Sequence, residues 1–303
     1  MFPNMFRYSD EVRAALAKKA PIVALESTII SHGLPRPTNK EVAIAVEEIV
    51  RSHGATPATI AIIDGEIHVG LNEESLDRIA NDANVLKASI RDLATVTAKR
   101  LNAATTVAAT SHIANAAGIS FFATGGLGGV HRGASETWDE SADLHSLASI
   151  PVLVVSAGAK SILDVAATLE RLETFSVPII GYKTNRFPGF YLSDSGFDLE
   201  YRADSPQEVA VIWNQRKQVG TSGSGMVVAN PVLNQMDFAL HEKTLREGLA
   251  ASEQAGIKGK AVTPFLLEYF HTNTNGELLR VNIEIIKANS ALAAQIAVAA
   301  AKN

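Results

Sequence analysis

The sequence predicts an α/β protein: a largely parallel or mixed central sheet flanked by helices, an α/β/α arrangement in a single domain. Three observations predict it. Short apolar runs alternate with segments of helical period along the 303 residues. Apolar residues make up 47% and charged ones 19%, enough to bury both faces of a sheet. No Pro/Ser-rich linker, charge block or internal repeat divides the chain, so 1–303 is expected to be one domain.

Taken in order, residues 21–25 form an uninterrupted apolar run, the pattern of a buried strand. Thr38-Asn-Lys-Glu41 has capping-box spacing and opens a helix that Gly54 closes. Residues 59–63 and 67–69 flank Asp64-Gly65, a pair suited to the two positive-φ positions of a tight hairpin. Residues 72–81 and 105–118 read as helices, then 119–124 and 151–156 as strands. Residues 161–175 are periodic, with Ile162, Val165, Ala166 and Leu169 on one helical face. Strands are expected at 177–181 and 225–229, and long helices at 231–256 and 282–301.

Composition excludes whole classes of function. Lys plus Arg number 27 against 32 Asp plus Glu, so no basic surplus supports nucleic-acid binding. Aromatic residues, at 6%, are too few for a base-stacking surface. The absence of cysteine removes disulfides, thiolate metal sites and cysteine nucleophiles. Residues 1–20 lack the apolar centre of a signal peptide, and no 18-residue apolar run provides a membrane span, the tail 291–301 being too short. A cytoplasmic protein is expected.

In α/β sheets the working groups gather beyond the carboxyl ends of the strands. Reading just past each strand gives Glu26, the glycine run 125–129, Lys160, Lys183 and Asn230. Lys160 follows Ser156-Ala-Gly-Ala and is expected at the mouth of the next helix, whose positive end would favour the neutral amine. Glu26 ends an apolar strand, where burial raises a carboxyl and suits it to donate a proton. The stretch 31–38, with two prolines, reads as a rigid loop able to close over a site.

The run Gly125 to Gly133 fails the dinucleotide fingerprint, because His131 stands where the third glycine belongs. It also lacks the lysine of a nucleotide phosphate loop, though its amides could approach an anion. Asp139 and Asp143 are four apart, and on a helix they would share a face suited to a hard, water-rich cation. Ser141 and the amides beside it could instead meet a phosphate. No histidine pair has zinc spacing, and no serine-hydrolase elbow is present.

At these residues the chain resembles pseudouridine-5′-phosphate glycosidases. The matching stretches include Ala24-Leu-Glu-Ser-Thr-Ile-Ile-Ser-His-Gly33, Ala123-Thr-Gly-Gly-Leu-Gly-Gly-Val-His-Arg-Gly133, Ser141-Ala-Asp-Leu144, Ala157-Gly-Ala-Lys-Ser-Ile-Leu-Asp164 and Thr263-Pro-Phe-Leu-Leu267. They run in order across nearly the whole chain, with no fused sugar-kinase domain expected. The resemblance implies reversible cleavage of the carbon–carbon glycosidic bond of pseudouridine 5′-phosphate to uracil and ribose 5-phosphate. It makes Lys160 the nucleophile that forms a Schiff base with C1′ of the opened ribose, and Glu26 the proton donor. It also implies substrate contacts at Lys87, Val107, Ser141, Ala142, Asp143 and Asn282, a Mn²⁺ ion on Asp139, and a homotrimer. Two rival readings remain at this stage. A different Schiff-base lyase or aldolase would keep Lys160 and the phosphate site but lack a uracil pocket. A non-catalytic sugar-phosphate-binding oligomer would need neither Lys160 nor Glu26.

Overall fold

A computed structural model describes residues 6–257 and 262–302. The first five residues of the stretch read above for a leader lie outside them. The strands are β1 (Phe6–Tyr8), β2 (Ile22–Leu25), β3 (Thr56–Ile63), β4 (Glu66–Val69), β5 (Leu86–Ala88) and β6 (Ala103–Thr105). They continue as β7 (Phe121–Ala123), β8 (Leu153–Ser156), β9 (Ile179–Tyr182), β10 (Tyr201–Ala203) and β11 (Met226–Ala229). The helices are α1 (Asp10–Lys18), α2 (Thr38–Ser52), α3 (Glu73–Asn81), α4 (Leu93–Ala98), α5 (Val107–Ala116) and α6 (Ala134–Thr137). After them come α7 (Ala142–Ser149), α8 (Val165–Thr174), α9 (Pro206–Gln218), α10 (Phe238–Gln254), α11 (Val262–Asn273) and α12 (Glu277–Ala300).

One 11-stranded sheet runs through these residues in the order β1-β4-β3-β2-β7-β8-β11-β9-β10, with β6 on β3 and β5 on β6. Pairing is parallel except where β3 meets β4 and β6. The β3–β4 hairpin turns at Asp64 (φ 50°) and Gly65 (φ 78°), the two positive values that its tight turn requires.

Side chains alternate across the central strands. Ile22, Ala24, Phe122, Val154 and Val227 face one apolar layer with α1, α5, α7 and α8. Val23, Leu25, Ala123, Leu153, Val155 and Val228 face a second layer with α2, α9 and α12. The sheet is therefore buried on both sides, as parallel sheets are. A third apolar cluster joins Tyr191, Leu245, Phe270 and Ile285 under α10, α11 and α12.

Several boundaries differ from expectation. Thr38 is the first residue of α2 rather than its cap, and the preceding Pro37 makes no side-chain bond, so the capping box does not form. Residues 161–164 precede the helix expected from 161, and Asp164 caps α8 by accepting from the Ala167 amide. The last helix begins at Glu277, not 282, which makes it long and apolar enough to cross a membrane by length and composition. Of its most apolar window, 56% is buried, and its Leu292, Ala293 and Ile296 pack into the second layer. The short strands β1, β5, β6 and β10 carry too few residues for a readable alternation.

Candidate active site

The site forms where β2, β7, β8 and β11 end side by side. Glu26 follows β2. The next two residues lock the chain there: Ser27 Oγ donates to the Ile60 carbonyl at 2.7 Å, and Thr28 Oγ1 donates to the Thr105 carbonyl at 2.8 Å. Behind Glu26 lies a cavity of about 20 Å³, walled mainly by Leu25, Ile29, Val46 and Ile286. Glu26 keeps some accessible surface, as a group on the floor of a cleft does, although protein atoms enclose it on nearly every side. Burial pushes its carboxyl above the usual range, and Asp143 adds to the rise. Lys160, the Thr124 hydroxyl and Lys87 oppose it. The raised carboxyl expected from the sequence is thus present.

The glycine run and the turn after β8 lie against each other. Leu127 N–H donates to the Gly158 carbonyl at 2.9 Å, and Lys160 N–H donates to the Leu127 carbonyl at 3.1 Å. Gly158 has φ 83°, and a Cβ there would stand 2.0 Å from the Pro188 carbonyl oxygen, so only glycine fits. Lys160 leaves this bracket half-buried, with four residues between it and α8. The expected placement at a helix mouth is therefore corrected: Lys160 owes its position to the glycine turn rather than to a helix dipole.

Lys87, on β5, comes to the same place from the other half of the sheet. Burial and the like charge of Lys160 push its ammonium below the ordinary value, against the attraction of Glu26 and Asp143. His32, in the turn Ile29–Gly33, stands close enough to Lys87 to feel its charge. Glu26, Lys87, Asp143 and Lys160 are thus one electrostatic cluster. Lys183, the other lysine read beyond a strand end, has its Nζ 5.3 Å from the centroid of the Tyr182 ring.

Asp143 is buried and its carboxylate is a bracket. Oδ1 accepts from the Ala108 amide at 3.0 Å, and Oδ2 accepts from the Gly128 amide at 2.8 Å. It ties the glycine run to the first turn of α5. Ser141 caps α7 by accepting from the Asp143 amide, and a Cβ at Gly128 would meet its Oγ at 2.2 Å. Ala142 is exposed at the first position of α7. Val107 opens α5 beside Ala108, with Thr106 as its cap.

Two expectations about this region change. Asp139 lies in the loop between α6 and α7, so it shares no helical face with Asp143. Amides of Leu127, Gly128 and Val130 are committed to protein acceptors, so much of the glycine run is braced internally rather than open to an anion. Asp139 Oδ2 is buried without a hydrogen-bond donor, 3.7 Å from His131 Nδ1. Among the described residues, no three acidic or imidazole groups converge on one point.

Asn282 lies on α12 beside the buried Tyr191 hydroxyl, about 10 Å along the helix from Asn289. Sequence reasoning did not single out Thr124, whose hydroxyl donates to Glu26, or Asn289, whose side-chain amide donates to the Thr124 carbonyl at 2.7 Å, and it noted His131 only as breaking a fingerprint. Asn289 had a signal: it is a polar side chain on the buried face of an otherwise Ala-, Ile- and Leu-rich helix. His131 stood inside the glycine run.

A raised carboxyl, two amines and a glycine brace thus meet at the carboxyl edge of a mostly parallel sheet, and the class this defines is an α/β enzyme. The family model described as Indigoidine synthase A like protein matches residues 11–299. A curated pseudouridine-5′-phosphate glycosidase of Salinispora tropica is 56% identical over 97% of this chain and 92% of its own. One from Caldanaerobacter subterraneus is 53% identical over 96% and 95%. The prealnumycin C-glycosynthase AlnA, solved in complex with ribulose 5-phosphate, superposes with a TM-score of 0.91 at 35% identity, covering 98% of this chain and 97% of that one. An indigoidine synthase A-like protein from Thermotoga maritima gives 0.87 at 35% identity, covering 97% and 96%. The chain belongs to the pseudouridine-5′-phosphate glycosidase family.

Proposed function

We propose that the chain is a pseudouridine-5′-phosphate glycosidase, an enzyme that reversibly joins uracil and ribose 5-phosphate through a carbon–carbon bond. The observation that carries the reading is the raised carboxyl of Glu26 set within the field of the Lys160 amine. A bond to uracil C5 contains no heteroatom, so two-carboxylate glycoside hydrolysis does not apply. An amine solves the problem. In the direction of synthesis, Lys160 Nζ condenses with the C1′ aldehyde of opened ribose 5-phosphate, expelling water to give an iminium. Uracil C5 attacks C1′, Glu26 takes the C5 proton, and the sugar oxygen displaces the lysine as the ring closes. Cleavage is the reverse: Lys160 Nζ displaces the ring oxygen from C1′, which leaves as the C4′ hydroxyl, Glu26 protonates C5, the nitrogen lone pair expels uracil, and water hydrolyses the iminium to free the lysine and ribose 5-phosphate.

Lys87 supplies positive charge for the phosphate, Val107 a backbone contact, and the Ser141–Asp143 turn the wall beside the sugar. Asn282 is the group for the base. The buried Asp139 Oδ2 would hold a Mn²⁺ ion otherwise bound by water, which when bound would supply positive charge to an anionic substrate. The homotrimer and a cytoplasmic location belong to the same reading. The reading of a non-catalytic binder leaves the buried acid and the amine without a purpose. AlnA, a C-glycosynthase with a sugar-phosphate complex, shares the fold at 35% identity. The higher identity of the curated glycosidases favours uracil as the base here.

The test uses uracil and ribose 5-phosphate with the purified protein. Formation of an ultraviolet-absorbing C-nucleotide, and borohydride trapping of the ribose phosphate on the Lys160 peptide, are expected. An unmodified Lys160 with no new nucleotide would sink the reading.

A further inference from the structure

Thr124 follows β7 and has no solvent-accessible surface. Its hydroxyl carries a single proton, which it donates to Glu26 Oε1. Its carbonyl accepts from Asn289 Nδ2 at 2.7 Å, and the same amide reaches the Gly125 carbonyl at 3.3 Å. Asn289 Oδ1 in turn accepts from Asn230 Nδ2 at 2.9 Å. Both amide hydrogens and the oxygen of Asn289 are therefore engaged, and its buried side chain is fixed on a long helix. Helix α12 thereby holds the ends of β7 and β11 in register beside Glu26.

Resting on the glycosidase reading, we infer that Thr124 is a positioning residue: by occupying Glu26 Oε1 it leaves Oε2 to carry the proton that passes between Glu26 and uracil C5, and Asn289 fixes Thr124 for that purpose. A carboxyl free to rotate would present its proton on either oxygen, and only one of the two orientations is productive. The hydroxyl has a second effect. A donor to a carboxylate favours the ionised form, so Thr124 works with Lys160 and Lys87 against burial and Asp143, and keeps Glu26 able to release its proton.

The measurement is the pH dependence of kcat and KM for uracil release in wild type, Thr124→Val and Thr124→Ser, with thermal melts as the check on folding. Removing the donor raises the Glu26 carboxyl further, so the acid stays protonated to higher pH. In Thr124→Val the alkaline limb of cleavage is expected to move up in pH while plateau kcat falls roughly tenfold to a hundredfold. KM is expected to change little, and Thr124→Ser to restore both limb and rate. Thr124→Ala removes the same hydroxyl without added bulk, should the valine variant fail to fold. A wild-type rate and limb in the variants that lack the hydroxyl, or a loss that serine does not restore, overturns the inference. A wild-type protein that releases no uracil refutes the glycosidase reading instead. The infrared carboxyl band of Glu26, assigned by its absence in Glu26→Gln, then decides for Thr124: a titration that moves in Thr124→Val supports it, and one that does not overturns it.

Discussion

At the scale of single residues, the site is a contest between burial and charge, and Glu26 and Lys87 show it from opposite sides. Burial pushes the carboxyl up and the ammonium down, so each is driven toward its neutral form. Asp139 poses the related problem of an oxygen with no donor. A buried carboxylate oxygen that accepts no hydrogen bond, with only His131 Nδ1 at 3.7 Å beside it, is costly, at about 1–3 kcal/mol, and a cation with its water shell lowers that cost. Binding of Mn²⁺ is therefore expected to depend on Asp139. Titrating the protein into Mn²⁺ should quench the free-ion paramagnetic resonance signal for wild type and leave it unquenched for Asp139→Asn. Equal quenching by both proteins would take Asp139 out of the metal site.

At the scale of elements, the Asp143 carboxylate joins α7, the glycine run and α5 through two backbone amides. Asn in its place would turn an N–H toward one of those amides, leaving both donors unpaired. Asp143→Asn is expected to lower stability by about 1–3 kcal/mol and to depress kcat, because the turn that holds Lys160 hangs on the glycine run. Chemical denaturation with parallel rate measurements reads both, and a variant matching wild type in each would reduce Asp143 to an ordinary helix-start residue. The same element shows what the sequence could and could not disclose. Spacing found Asp139 and Asp143 together and allowed them one helical face, since a local pattern cannot foresee that Trp138, at positive φ, ends the short helix α6 and turns the chain before α7. The helix read over 72–81 formed with Asn72 as its cap, accepting from the Ser75 amide at 2.8 Å, whereas Thr38 became the first residue of α2 after Pro37, which cannot cap it. Buried strands were legible because long apolar runs have one physical use in a parallel sheet. Thr124 and Asn289 were not, because 165 residues of sequence separate the two ends of their hydrogen bond.

At the scale of the whole molecule, the sheet delivers its chemistry to one edge, and that edge also carries unusual surface. Trp138 is 83% exposed between α6 and α7, and Leu233 is 86% exposed between β11 and α10. Phe238 opens α10 at 60% exposure. Single exposed apolar residues are common on any protein. These three, however, all lie in segments that follow β7 and β11, two of the strands whose carboxyl ends form the site. A subunit packed there would cover apolar surface and narrow the mouth of the site together, so assembly and activity are expected to be linked. Sedimentation equilibrium should give three times the 32.2 kDa chain mass for wild type. Replacing Trp138 and Leu233 with Glu should shift the distribution toward the single chain and lower kcat/KM in proportion. A wild-type protein that sediments as one chain removes the trimer from the reading. A trimer unaffected by the double substitution moves its interface away from the carboxyl edge of the sheet.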